Sequence, residues 1–319
     1  MIHTIEMYTN ISFEEKKMIE KRFNKNIEEV MKDMNANNTS IRLRGKNRMD
    51  KFQITLFADI TKILNRGEVN DDDYYEVKRV IDEFIENLIG YKLDLVLMRV
   101  EYRFDKYISS KAERLILLDI YRKMINKHRF KVKKNYKKYK TSIRYDSKSM
   151  QIIIYDKEKE REDKEQECKE YEKCILRFEV KLLNKHLNYN KRKYLIDKDL
   201  KNYFSKDMQV KYMMENIQKI VYKGDYYNIR EVDKLIINLD MEEKERTFIR
   251  EFLIDISNNG VSGAKDIINE SGKQKYTKYK FKKAMDILEN LNINPILIPK
   301  SREYLYGERY YFIKNPFEF

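Results

Sequence analysis

The feature that most constrains the fold is the order in which two hydrophobic periods alternate along the first hundred-odd residues. "IHTIEMYTN" alternates apolar and polar residues, the pattern of a half-buried strand. "SFEEKKMIEKRFNKNIEEVMKDMN" switches to helical spacing, with Phe13, Met18, Ile19, Phe23, Ile27, Val30 and Met31 apolar. Ser12 followed by Glu15 predicts a capping box at its start. "TSIRLRG" and "KFQITLFAD" predict two strands around a turn over 45–50. "DDDYYEVKRVIDEFIENLIG" predicts a second helix, with acids at its start and Gly90 at its end. "LDLVLMRVEYRFD" returns to a strand. The order β-α-β-β-α-β is that of a ferredoxin-like, split βαβ sheet: antiparallel, with helices on one face.

The pattern partly recurs. "KAERLILLDIYRKMINKH" predicts a helix, and "TSIRYD" and "QIIIYD" two strands around a turn over 146–149. Residues 158–172 are charged without apolar periodicity, as in an exposed helical extension or a solvated loop, and "CILRFEVKLL" is a further strand. Past Leu187 the periods are helical: "NKRKYLIDKDLKNYF", "SKDMQVKYMMENIQKIVYKG", "DMEEKERTFIREFLIDISNNG", "VSGAKDIINESG" and "KQKYTKYKFKKAMDILENLN". Gly260, Gly263 and Gly272 punctuate them, and "NPILIPKSREYLYGERYYFIKN" predicts two short strands around 300–308. Helices followed by a hairpin are the order of a winged helix. The fold class is therefore α+β: an antiparallel sheet domain over 1–187 and a helical, winged-helix-like domain over 188–319.

Charge narrows the partners. Lys and Arg number 67 against 53 Asp and Glu, a formal net charge of +14, and such a surface attracts polyanions, nucleic acid first. Lys273, Lys275, Lys278, Lys280, Lys282 and Lys283 concentrate on the last helix and are the candidate DNA contacts. Cys168 and Cys174 have neither disulfide nor zinc spacing and read as free thiols of a reducing cytoplasm. No run approaches the ~18–20 apolar residues of a membrane span, and the N-terminus has no signal-peptide pattern. His3, His128 and His186 are far apart, so any metal is expected on carboxylates rather than histidines.

Three strands carry acids. "LMRVEYRFD" offers Glu101 and Asp105, "IIIYDKEKE" offers Tyr155, Asp156, Lys157 and Glu160, and "LRFEVKL" offers Glu179. A carboxylate among Val, Phe and Leu needs a cation or a metal, and all-oxygen clusters suit Mg²⁺ or Mn²⁺. Spacing alone favours ion pairing with Arg99, Arg103 or Arg177. Tyr155 is a rim aromatic on composition, one of 25 tyrosines. As a nucleophile its phenol, with a reference pKa of ~10, would need a metal-bound phosphate and help from Lys157 on the same strand face.

Taken in order, "MRVEYRFD", "IIIYDKEKE" and "LRFEVKL", with the helical run "GVSGAKDIINESGKQKYTKYKFKKAMDILENLNI", resemble the gene II-type replication initiators of filamentous phages and related plasmids. The likeness runs through most of residues 93–313 and is weakest over 1–92. It implies an HUH-like nuclease core and a Mg²⁺-dependent nick at a double-strand origin. Tyrosine attack retains the 5′ phosphate, and the displaced strand is later rejoined. Carried onto this chain, the nucleophile falls on Tyr155, its lysine on Lys157, and the metal-binding acids on Glu101, Glu160 and Glu179. Where the family has an aspartate this chain has the longer Glu101, and it lacks a His-hydrophobic-His motif. The resemblance also implies origin duplex and displaced single strand as substrates, host helicase and polymerase as partners, and a bacterial cytoplasm; it leaves the oligomeric state open, a homodimer with two active subunits per origin being reasonable for paired cleavage and joining. A non-enzymatic winged-helix initiator or repressor would use the same lysines without Tyr155. An RNA-binding sheet would need Tyr102 and Phe104 exposed, whereas the alternation turns them to the core.

Overall fold

The computed structural model describes residues 1–123, 131–132, 141–238 and 241–317. Strands β1 (Ile2–Ile11), β2 (Ile41–Asn47), β3 (Phe52–Asp59), β4 (Val96–Tyr107), β5 (Lys131–Val132), β6 (Ser142–Asp146), β7 (Met150–Asp156) and β8 (Ile175–Leu183) pair in the order β2-β3-β1-β4-β8-β7-β6-β5. The helices are α1 (Phe13–Phe23), α2 (Ile27–Ala36), α3 (Ile60–Ile63), α4 (Tyr74–Ile89), α5 (Lys111–Arg122), α6 (Lys157–Asp163), α7 (Asn184–Tyr194), α8 (Lys206–Val221), α9 (Ile229–Ile237), α10 (Glu243–Ala264) and α11 (Lys278–Asn290). The chain is thus a mixed α+β protein built on one large antiparallel sheet. Among the described residues no helix is long and apolar enough to cross a membrane.

The chain divides into two compact units. The first comprises Met1–Phe104, Lys148–Gln151 and Glu179–Met213; the second comprises Asp105–Ser147, Ile152–Phe178 and Met214–Phe319. The boundary anticipated at 187/188 falls inside α7.

In the first unit, β1 pairs antiparallel with both β3 and β4, and β2 pairs antiparallel with β3. Strands β1 and β2, joined through helices, therefore flank β3. Alternate residues give each strand an inner and an outer face. Ile5, Met7 and Ile11 of β1, Phe52, Ile54, Leu56 and Ala58 of β3, and Leu97 and Val100 of β4 are buried on the inner face. Buried with them are Ile19 of α1, Val30 and Met31 of α2, and Val77, Ile81, Ile85 and Leu88 of α4. Gly45 lies inside β2 because a Cβ there would overlap the Phe52 ring and the Met31 methyl group. The outer-face residues Tyr8, Gln53, Thr55 and Phe57 are only partly covered.

In the second unit, Ile143 and Tyr145 of β6, Ile152 and Ile154 of β7, and Leu176 and Phe178 of β8 are buried, as are Ile116, Leu117, Ile120 and Tyr121 of α5. Gly260 breaks α10 with φ 73, and a Cβ there would overlap the Lys123 carbonyl, so only glycine suits the bend.

Several expectations needed correction. The first predicted helix is two, because Asn24 turns left-handed and Asn26 caps a new helix; the Ser12–Glu15 capping box is present. Strand β2 runs through Gly45 to Asn47, so the turn is shorter than 45–50. Residues 158–172 combine both expectations, the helix α6 and a largely exposed loop over 164–169, and add a short 3₁₀ turn at Glu170–Glu172 with Glu172 buried. Helix α7 begins directly after β8, and α9 was not anticipated. Residues 265–272 are not helical. The tail hairpin pairs β10 (Tyr304–Leu305) with β11 (Glu308–Arg309), while β12 (Phe312–Ile313) pairs with β9 (Tyr226–Tyr227). The helix predicted over 111–128 is helical to Arg122, and its last residues, His128 included, lie outside the described residues.

Candidate metal centre

The outer face of the first unit brings His3, Glu101 and Glu179 together. One ligand atom from each lies within 4.8 Å of the others. His3 Nδ1 is 2.8 Å from Glu101 Oε1 and 3.4 Å from Glu179 Oε1. Lys181 Nζ is 2.6 Å from Glu101 Oε2 and 3.5 Å from Glu179 Oε2, and the Thr4 hydroxyl donates to Glu101 Oε2 at 3.2 Å.

Local structure explains the convergence. Ile2 faces Tyr102 and Thr4 faces Glu101, so β1 advances two residues where β4 advances one. His3 is the extra residue of a β-bulge, a device that re-aims a side chain. Glu179 and Lys181 are alternate residues of β8 and share a face.

The electrostatics are those of a compact charge cluster. Burial opposes ionisation of Glu101, but the His3 hydrogen bond and the Lys181 ammonium outweigh it and hold the carboxyl well below the usual range. Glu179 is likewise lowered: burial and repulsion from Glu101 oppose its charge, and His3 and Lys181 overcome them. His3 is raised, since its bonds to both carboxylates exceed the effect of burial. Lys181 is raised against burial by the same two acids. With His3 neutral, two carboxylates and one ammonium leave these four groups at a formal charge of −1. A nitrogen donor and two ionised carboxylates, with His3 partly open to solvent, suit a divalent cation.

The expected all-carboxylate site thus becomes a mixed one. Glu101 and Glu179 come together as anticipated, and His3, not Glu160, is the third grouped ligand. Glu160 belongs to the second unit, where Lys157 Nζ contacts it at 2.8 Å and Lys164 pairs with it. Sequence reasoning set His3 aside because the three histidines are far from one another, whereas the structure brings it to Glu101, 98 residues away. The available signal was a histidine at the start of an alternating strand; the bulge that aims it left no trace.

The arginines expected to neutralise these acids have other contacts. Arg177 makes a bidentate pair with Asp105 at 2.7 and 2.8 Å. Arg99 approaches Glu6 at 3.7 Å and lies over the Phe57 ring, and Arg103 donates to the Gly67 carbonyl.

Tyr155 is a packed residue of β7, 8% exposed. Strand β7 ends one residue later at Asp156, which caps α6, so Lys157 is helical rather than on the tyrosine's strand face. Its ammonium still lies 5.8 Å from the Tyr155 ring centroid. Lys157 is buried, 3.5 Å from Glu172 as well as paired with Glu160, and burial followed by repulsion from Arg177 lowers its pKa. Tyr102, considered for RNA stacking, is buried and donates to the Tyr203 carbonyl.

Of the candidate DNA contacts, Lys275 pairs with Asp255 at 2.7 Å and Lys283 with Glu245 at 2.8 Å. Lys273, Lys278, Lys280 and Lys282 are exposed around the Thr277-capped start of α11, beside the 76% exposed Tyr279. No protein-family model and no curated protein matches this chain.

Proposed function

We propose that the chain is a divalent-metal-dependent DNA nickase of the rolling-circle initiator type, with its metal centre at His3, Glu101 and Glu179. The observation that supports this reading is the meeting of those three ligands with Lys181 on a polar sheet face. A divalent cation bound there would supply Lewis acidity toward a phosphodiester. Glu101 and Glu179 would provide the charge that binds it and His3 a nitrogen donor, with the Thr4 hydroxyl holding the Glu101 carboxylate. Lys181 holds an ammonium beside both acids, where it can meet the negative charge that develops on a phosphate oxygen.

The nucleophile is Tyr155 by resemblance. Its ring is packed in this conformation, so the covalent step requires it to be uncovered. The HUH-like core and the winged helix belong to the same reading: the β2-β3-β1-β4 order suits the first, and α10, α11 and the β10–β11 hairpin suit the second. Origin duplex would lie on the exposed lysines of α11, with affinity that falls as salt rises.

A second reading, non-enzymatic origin binding, is favoured by one observation: Lys181 and His3 already answer the two acids as an ion-pair cluster. One assay separates the two. Supercoiled DNA carrying the element's own origin is incubated with the protein and Mg²⁺ or Mn²⁺. A nicked circle that EDTA and Glu101→Gln abolish supports the nickase. Protein bound covalently to the 5′ end, and lost in Tyr155→Phe, assigns the nucleophile. Nicking without an adduct replaces Tyr155 by water, and binding without nicking leaves the second reading.

A further inference from the structure

The face that carries the candidate metal centre continues across the first unit as a basic strip. Thr4 and Glu6 of β1 face Glu101 and Arg99 of β4, which places the centre at one side of this face. Across β1, Glu6 faces Phe57, Tyr8 faces Thr55, and Asn10 faces Gln53 of β3. Across β3, Phe57 faces Arg42, Thr55 faces Arg44, and Gln53 faces Lys46 of β2. The outer face therefore grades from carboxylates through half-covered polar and aromatic side chains to a row of three cations. Arg42, Arg44 and Lys46 are all exposed, and among the described residues none has an ion pair. Strand β2 ends the strand order, so no further strand covers its outer side among the described residues.

We infer that this face is a track for single-stranded DNA, with phosphates on Arg42, Arg44 and Lys46 and bases turned over Phe57, Thr55, Tyr8 and Gln53 toward the metal centre. The inference rests on the nickase reading, since the strand it holds would be that centre's substrate. Three observations carry it. Alternate residues of a strand repeat at about 6.6 Å, close to the spacing of successive phosphates in an extended single strand. The neighbouring groups are the kind that meet unpaired bases: two aromatic rings, an amide and a hydroxyl. Arg99 lies over the Phe57 ring and Lys198 over the Tyr8 ring, so both rings sit in a positive environment.

The test is fluorescence anisotropy of the full chain in EDTA against a labelled oligothymidylate of about 20 nucleotides and a duplex of equal length, titrated over salt. The triple variant Arg42→Ala/Arg44→Ala/Lys46→Ala is expected to lose at least about tenfold in single-strand affinity, and its salt slope to fall by about 2, the contribution of three phosphate contacts. Duplex affinity is expected to stay within about threefold. Arg42→Lys/Arg44→Lys, which keeps the charge, should bind the single strand nearly as wild type and guards against a folding defect. Unchanged single-strand affinity and slope in the triple variant would overturn the track, and so would an equal loss on duplex. Glu101→Gln should abolish nicking and leave single-strand binding in EDTA intact. Failure of nicking alone therefore removes the nickase, and failure of the triple variant alone removes the track.

Discussion

Two buried charge clusters, one in each unit, are built in opposite ways. In the second, guanidinium groups close the carboxylates off. Arg114 reaches Asp156 at 2.7 Å and Glu158 at 2.8 Å, Arg161 makes a bidentate pair with Glu172, and Arg177 does the same with Asp105. A guanidinium is always charged and its planar fork matches a carboxylate, so such pairs are structural fixtures. In the first unit the acids Glu101 and Glu179 meet an imidazole and a flexible ammonium. An imidazole and a flexible ammonium are weaker fixtures than a guanidinium fork, so on the proposed reading this is the cluster that would take a metal. Glu160, which motif order places with the metal ligands, lies instead in the second unit, where Lys157 and Lys164 pair with it.

The sharpest break of this comparison is metal binding itself. Glu101→Gln or Glu179→Gln should remove Mn²⁺ binding in calorimetry and reduce nicking by about a thousandfold or more, whereas Glu160→Gln should leave the Mn²⁺ isotherm unchanged. Loss of Mn²⁺ binding in Glu160→Gln would merge the two clusters. The next largest effect is on stability. Arg114 is almost fully buried between two acids, so Arg114→Ala should destabilise by about 3–5 kcal/mol in urea melts.

A pH titration tests the closed network from the other side. Burial opposes the charge of Glu172, yet the hydrogen bonds and charge of Arg161 and the charge of Lys157 lower its pKa to about 2. A depressed carboxyl contributes stability above its unfolded pKa and loses it as pH falls through the folded one. The Glu172 contribution should therefore be complete above about pH 4.5, decline toward pH 2, and be absent from Glu172→Gln, which should be about 2 kcal/mol less stable at neutral pH. The smallest effect is on DNA binding by α11. Lys282→Ala should lower the duplex salt slope by about 1, and Lys275→Ala by less, because Lys275 is already paired with Asp255.

Much of the framework was legible before any coordinates. Alternation located all the strands from β1 to β4 and from β6 to β8, because a sheet with one apolar face imposes period two on its sequence. The Ser12 capping box and the Gly90 helix end were equally visible, since both are local backbone requirements. Less legible were places where local signals conflict. Asn24 splits a continuous helical pattern, and Asp156 turns a strand into α6 one residue after Tyr155.

The amino-acid sequence by itself determined the order of most strands and helices, the net basic charge, and the acids at positions 101 and 179. Tertiary structure alone decided what those acids meet. A one-residue bulge in β1 turned His3 onto Glu101, β8 carried Lys181 to the same place, and Arg177 went to Asp105. The physical reason is range: periodicity and caps are set by neighbours within a few residues, whereas a charge cluster is set by strand register between segments about a hundred residues apart.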